Sequence, residues 1–349
     1  MEKMNKKKVI MLGPARSVHG GISAVVNSFY EAGIEQRIEL HYIGTMVDGS
    51  RFRKLLQAFY AYICFLFVLP RYDIVHVNMA SDASYYRKKI FIDTAFLFRK
   101  KIVIHEHGGN FRAFYGHLTS KQQQNVKTTL NKADIFIVLS MEWKNFFSAI
   151  VTKTDIKILH NAVKVPVRGR EDYSDHNLIF LGRICRDKGI AELLSAMDRI
   201  HIEVPDAHLY LAGNYEEACW EDEVNKRSDY VIWTGWIMGE EKEKLLRDTC
   251  SVFVLPSYYE GQPVSLMEAM SYGLAPIASA IGGITEIMSD KEGVAIPVKN
   301  VAILKDEIEQ LVTDTDRKEE LGIASRKRII ADYDIAAMVD SLCSIYDEI

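Results

Sequence analysis

Ten short β-branched runs, most followed by a segment long enough for a helix, constrain this chain more than any other feature. Five come first: KVIML (8–12), IELHYIG (38–44), DIVHVN (73–78), KIVIHEH (101–107) and DIFIVLS (134–140). After IKILHNAVKVPVRGR the pattern restarts with NLIFLG (177–182), HLYLAG (208–213), YVIWTG (230–235), SVFVLPS (251–257) and APIAS (275–279). Short apolar strands alternating with helices build parallel sheets covered on both faces. A chain of 349 residues exceeds what one core usually serves, so the two series predict two βα domains. The segment from Val163 to about His176 carries Pro166, Gly169 and mixed charges, and reads as the linker. The amphipathic close DIAAMVDSLCSIYDEI is expected to pack back onto the first domain.

Charge is unevenly placed. Residues 1–132 hold 20 Lys+Arg against 9 Asp+Glu, whereas 133–349 hold 23 against 38. A basic front half points to an anionic surface, nucleic acid or the acidic leaflet of a membrane. No RNA-binding aromatic motif, zinc finger or helix-turn-helix pattern accompanies the charge, which excludes nucleic acid. The most apolar stretch, LLQAFYAYICFLFVLP (55–70), follows the basic RFRK (51–54). Leu55 to Leu69 offers 15 residues. That is short of the ~20 needed to span a bilayer. It reads either as a buried or partly buried helix of an α/β domain or as an interfacial helix anchored by its basic flank. Five cysteines, Cys64, Cys185, Cys219, Cys250 and Cys343, form no CxxC pair and predict a reducing cytoplasm. The basic start runs into a strand without an apolar h-region, so no signal peptide is expected.

Open parallel sheets bind ligands at the carboxyl ends of their strands. After the first strand, LGPARSVHGGISAVVNSFY is neither a Walker A loop nor a dinucleotide fingerprint. Its Gly20 and Gly21 precede a helix starting near Ile22, so they read as an open approach to an anion or as a plain turn. In FLGRICRDKG, Arg183 and Lys188 can neutralise a diphosphate without a metal, or form a solvated set with Asp187. In PSYYEGQPVSLMEAM, Pro263 suits the first helical position, which leaves Glu260 in the loop and Glu268 inside the helix. The amides of Val264 and Ser265 then face whatever the loop encloses. Glutamates so placed can grip sugar and ribose hydroxyls, or merely stabilise a helix end. The D-x-D triplets DTD (314–316) and DYD (332–334) lie in polar, helix-flanking sequence, and metal-ligand His or Cys spacing is missing. No metal site is expected.

PSYYEGQPVSLMEAMSYGLAPIASAIGGITEI, with its E-x7-E, resembles the signature of the family-four retaining glycosyltransferases. LGRICRDKG is similar to that family's diphosphate loop, HGGI to its amino-terminal glycine loop and LHNAV to its N-G-V segment, with Ala162 where glycine is usual. The resemblance implies the α/β GT-B architecture: two Rossmann-like, doubly wound parallel-sheet domains facing a central cleft. Residues 1–165, joined by the helix 335–349, would form the acceptor-side domain, and 166–334 the nucleotide-sugar domain. It further implies that Arg183 and Lys188 stabilise charge growing on the diphosphate, with Glu260 on donor-sugar hydroxyls and Glu268 on the ribose. Gly20 and Gly21 would approach the phosphates. Gly235 and Trp236 would sit by the base, and Gly261, Gln262, Pro263, Val264 and Ser265 would line the donor. His107 matches the histidine beside the reacting sugar, with His105 as its rival.

The resemblance therefore implies a metal-independent, retaining transferase that moves a hexose-type sugar from a UDP-sugar to an acceptor hydroxyl. A basic first domain with an apolar helix favours a lipid-linked glycan acceptor, as in bacterial surface polysaccharide, met at the cytoplasmic face of the membrane. Two competing readings are a nucleotide-sugar epimerase of the same shape and a non-catalytic, nucleotide-sugar-binding subunit. Product analysis separates the first from a transferase. The joint presence of Arg183, Lys188, Glu260 and Glu268 argues against the second.

Overall fold

The computed structural model describes residues 6–349. The chain divides into two compact units: the first runs to Ala162 and takes back Ile335–Ile349, and the second is Val163–Asp334. Each holds one six-stranded parallel sheet.

In the first unit the strands are β1 (Lys8–Gly13), β2 (Glu39–Gly44), β3 (Ile74–Met79), β4 (Lys101–Glu106), β5 (Ile135–Val138) and β6 (Asp155–Ile158). Their order is β2-β1-β3-β4-β5-β6, so the winding reverses between β1 and β3. One face is apolar: Ile10, Leu12, Val75, Val77, Ile102, Ile104, Phe136 and Val138 pack in one core with Phe65, Phe91 and Phe147. The other face is partly polar, because β3 and β4 alternate His76, Asn78 and His105 in register. All three are buried.

The closing helix, Ile335–Asp347, belongs to this unit. Its Tyr346 is fully buried, with its hydroxyl 2.6 Å from His76 Nδ1. Arg37 pairs with Asp340 at 2.7 Å and Lys157 with Glu348 at 2.9 Å. Tyr346→Phe leaves the imidazole unpartnered at that atom. It is expected to cost about 1–2 kcal/mol in urea unfolding, with little change in secondary structure.

In the second unit the strands are β7 (Leu178–Leu181), β8 (Leu209–Ala212), β9 (Val231–Gly235), β10 (Val252–Leu255), β11 (Ala275–Ser279) and β12 (Val294–Ile296). The order β12-β11-β10-β7-β8-β9 places the reversal between β10 and β7. Loops at that point diverge and leave a crevice beyond the strand ends.

Two expectations need correcting. The boundary falls at Ala162/Val163 rather than after residue 165, because Val163 bridges Asp334 and its N–H donates to the Tyr333 carbonyl at 3.1 Å. Nor is 163–176 a free linker. Arg170 is buried and donates to the Cys250 carbonyl at 2.7 Å while pairing with Asp175, and the Tyr173 hydroxyl donates to the Gly273 carbonyl at 2.8 Å. The apolar stretch forms the helix Arg51–Val68, but only Ala61 and Phe65 are buried.

Candidate functional site

In the second unit the site is built from loops at the reversal between β7 and β10. The chain leaves β7 through Gly182 and Arg183, makes a single 3-10 turn at Arg186–Lys188, and enters the helix Ile190–Glu203 through Gly189. Gly189 has φ +70°, and a Cβ there would lie 2.2 Å from the Pro256 carbonyl oxygen. Glycine alone therefore lets the loop after β7 rest on the chain leaving β10. The contact is fixed by the Tyr258 N–H, which donates to the Asp187 carbonyl at 2.8 Å, and by the Tyr258 hydroxyl, which donates to Glu192 at 2.6 Å. Burial and the Glu192 carboxylate push that phenol up to about 12.

This joining delivers Lys188 onto Glu260. The ammonium donates to the Glu260 carboxylate, with side chains 19% and 10% exposed. Glu260 is held in turn by the pair Gly282–Gly283. A Cβ at Gly282, whose φ is +50°, would lie 2.1 Å from the Glu260 carbonyl oxygen, and the Gly283 N–H donates to the Gly261 carbonyl at 2.7 Å. Lys188 thus has Glu260 as its partner, where Asp187 was the alternative.

Arg183 takes Glu216. The loops after β7 and β8 are zipped by Ile184 N–H to Asn214 carbonyl at 2.9 Å and Glu216 N–H to Ile184 carbonyl at 3.0 Å. Burial alone would lower the guanidinium, but Glu216, with Glu260 contributing less, holds it raised. Both cations therefore carry a carboxylate that an incoming anion would have to displace or share.

The helix Val264–Tyr272 has Pro263 at its cap and so starts one residue later than expected, and the cap residue makes no side-chain capping bond. The amides of its first turn, Val264 and Ser265 among them, are left to the loop Glu260–Gly261–Gln262, where Gln262 is buried. Glu268, in the second turn, accepts from Lys242 at 2.8 Å. Lys242 sits on the helix Gly239–Lys244, which follows β9 and the turn of Gly235 and Trp236. Glu216 and Lys242 were not foreseen, for each lies in a charged run indistinguishable from solvated surface.

The first unit has a second cluster at its own reversal. Gly20 and Gly21 open the helix Gly21–Glu31, and a Cβ on either would meet open space. Packing does not demand glycine there. His107 follows β4, and its Nε2 lies 2.8 Å from Asn78 Oδ1, while Asn78 Nδ2 donates to the Leu12 carbonyl at 3.3 Å. The Asn78 amide orientation makes Oδ1 the acceptor, so Nε2 carries the proton and Nδ1 a free lone pair. Nδ1 has no protein partner. Burial, and then His76, push His107 down to about 3, which keeps the ring neutral at pH 7. The His105 ring lies tilted against His107, 3.9 Å between centroids, with both nitrogens unpartnered, but it is 1% exposed, which leaves His107 the better placed of the two rivals. Asn78 was also missed, although a polar residue ending an apolar strand was a visible signal.

Two of the D-x-D carboxylates have structural partners: Asp314 caps the helix Thr315–Asp332, and Asp332 pairs with Arg328 at 2.7 Å. Among the described residues there is no group of three or more His, Cys, Asp or Glu that could hold a metal ion.

Residues 168–328 match the family model described as "Glycosyl transferases group 1". The chain is 31% identical over 185 residues to an alpha-maltose-1-phosphate synthase of Mycolicibacterium smegmatis, a match covering 49% of this chain and 47% of that protein. The chain thus spans about half the length of the curated relatives it matches. In overall fold it is similar to sucrose-phosphate synthase from Thermosynechococcus elongatus, with a TM-score of 0.80 at 18% identity, covering 98% and 99% of the two chains. It is also similar to Anabaena HepE in complex with UDP and glucose, with a TM-score of 0.76 at 15% identity, covering 98% and 100%. Residues 168–328, which carry both cation–carboxylate loops, thus match the group 1 glycosyltransferase model, and the whole length of the chain follows the GT-B fold.

Proposed function

We propose that the chain transfers a sugar from a UDP-sugar to an acceptor hydroxyl with retention at the anomeric carbon and without a metal ion. The observation that carries this reading is the Lys188–Glu260 pair at the β7/β10 reversal, flanked by Arg183 and an uncapped helix N-terminus. Two cations and a row of amides can receive a diphosphate. As the bond from the anomeric carbon to the phosphate oxygen breaks, that oxygen gains charge, and Arg183 and Lys188 stabilise it most in the transition state. Released from Lys188, Glu260 is free to accept from sugar hydroxyls. Glu268, shared with Lys242, serves the ribose diol in the same way. The acceptor oxygen attacks the face that the phosphate leaves, and the departing phosphate takes its proton.

In the first unit, His107 Nδ1 is buried without a protein partner and would accept from a hydroxyl only once it is uncovered, while a Cβ on Gly20 or Gly21 would meet open space. An acceptor that is a lipid-linked glycan of surface polysaccharide fits the basic, apolar-helix-bearing first unit, peripheral on the cytoplasmic face of a membrane. The relative that binds UDP and glucose supports a UDP-sugar donor.

A thermal-shift panel of UDP, GDP and ADP sugars, with and without chelator, tests the donor site. A UDP-sugar at 100 times its dissociation constant is expected to stabilise by about 2.7 kcal/mol, unaffected by chelation. No shift with any donor defeats the reading, and a shift that appears only with a divalent ion defeats its metal-free form.

A further inference from the structure

The helix Arg51–Val68 turns its apolar side outward. Phe52, Leu55, Leu56, Phe59, Ile63 and Phe67 are exposed, Phe67 to 78%. At 100° per residue they fill an arc of about 120°, opposite Ala61 and Phe65. A helix serving only a globular core shows the reverse pattern.

The neighbouring helix, Asp82–Leu97, continues this surface. The Tyr62 hydroxyl lies 2.9 Å from Thr94 Oγ1, and the Tyr62 ring meets Phe91 edge-on at 5.5 Å, so the two helices lie side by side. On the outward side Tyr86, Ile90 and Leu97 project within about 40° of one another, and Leu97 is 77% exposed. A contiguous apolar face of this size marks an interaction surface.

Cations rim it. The segment 51–71 carries Arg51, Arg53, Lys54 and Arg71 and no acidic residue, and exposed Arg99 follows Phe98. On the far flank of the second helix, Lys89, Lys121 and Lys132 line a pocket of about 260 Å³. Lys89 and Lys132 both pair with Asp93, so the pocket keeps an excess of positive charge. Lys132 Nζ sits 5.4 Å from the Phe96 ring, which joins the pocket to the apolar face.

We propose that these two helices form a docking surface for an anionic lipid bilayer, entered in the plane of the interface, with the Lys89–Lys121–Lys132 pocket seating a headgroup phosphate. An apolar centre ringed by cations complements acyl chains beneath anionic headgroups. By length and composition Arg51–Arg71 is long enough to cross a membrane. Its inner side, however, is fastened to the core through Ala61 and Phe65, with Phe65 5.2 Å from the Phe91 ring. Cations at both ends of the segment can reach the headgroup layer when it lies flat. The surface deepens the membrane contact proposed above and rests on that part of the reading alone.

Flotation of the full chain with vesicles tests it. The protein is expected to float with phosphatidylglycerol/phosphatidylcholine vesicles and to bind phosphatidylcholine alone at least tenfold more weakly. Phe59→Glu combined with Phe67→Glu should lower binding at least tenfold. Lys121→Glu should weaken binding about fivefold, on anionic vesicles only. Both changes lie on exposed positions, so melting curves should match the unaltered protein. No vesicle binding, or flotation of the double variant at the unaltered level, overturns the proposal. So does self-association that the double variant abolishes in the absence of vesicle binding, which would assign the face to a second copy. UDP-sugar thermal shifts on the same proteins keep the two readings apart: flotation without any donor shift defeats the transferase and leaves the docking surface standing.

Discussion

Lys188→Ala is expected to lower turnover of the UDP-sugar that gives the largest thermal shift by about 10²–10³-fold, the scale for losing one preorganised donor to a developing oxyanion. The same change leaves Glu260 in place without its cation, at 10% exposure, so its carboxylate would repel an arriving diphosphate. Donor affinity should therefore fall together with turnover. Glu260→Ala should act differently. The ammonium stays available to the phosphate while the sugar loses its acceptor, so turnover should fall more than UDP affinity. Because the two groups are bonded to each other in the free protein, the double variant should cost much less than the sum of the single losses. Lys188→Arg keeps the charge but not the point-like ammonium, and should restore binding better than rate. Steady-state kinetics and UDP titration of the four variants check this pattern. Unimpaired turnover in Lys188→Ala, or an additive double variant, would separate these residues from the chemistry.

Ten of the twelve strands were legible because buried parallel strands are written as short apolar runs, as in β10, where all four residues of VFVL are buried. The two that were not, β6 and β12, are edge strands of four and three residues. With only one neighbouring strand, DIKI and VAI need no such run. The loops after β7 and β10 were readable for another reason: Arg183, Lys188, Glu260 and the helix-starting Pro263 stand out at strand ends, whereas the glycines at 189 and 282, forced by approach to backbone carbonyls, were not singled out. What holds those charges in the free protein was not readable. Glu216 and Lys242 are 33 and 26 residues from their partners, and their pairing depends on which loops the strand order makes adjacent. The outward apolar side of Arg51–Val68 was ambiguous in sequence for a similar reason. Periodicity says that a helix has an apolar side but not whether a sheet or a solvent boundary lies against it.

Acidification should destabilise the first unit steeply, with about 3 kcal/mol lost between pH 7 and pH 5. His76 and His107 are pushed down to about 3, by burial first, and His105 lies well below its ordinary value through burial and its two histidine neighbours. An unfolded chain protonates all three near pH 6.5. The native state does not, so the unfolded state binds more protons and stability falls as pH drops below 6.5. Glu106 opposes this. It is buried, its carboxyl is raised well above the usual range, and it keeps a proton that the unfolded chain releases above about 4.5. The net excess is about two protons, so stability falls with each pH unit once the unfolded histidines are charged. Thermal midpoints should fall by about 6–12 °C over that range. His105→Leu removes one of the three titrations together with two unpartnered ring nitrogens, so it should roughly halve the fall without loss of stability at pH 7. Melts of both proteins at half-unit pH steps decide the matter. An unaltered chain whose midpoint stays level from pH 7 to 5, or a His105→Leu variant that tracks it, would mean that these imidazoles reach solvent and titrate in the folded state.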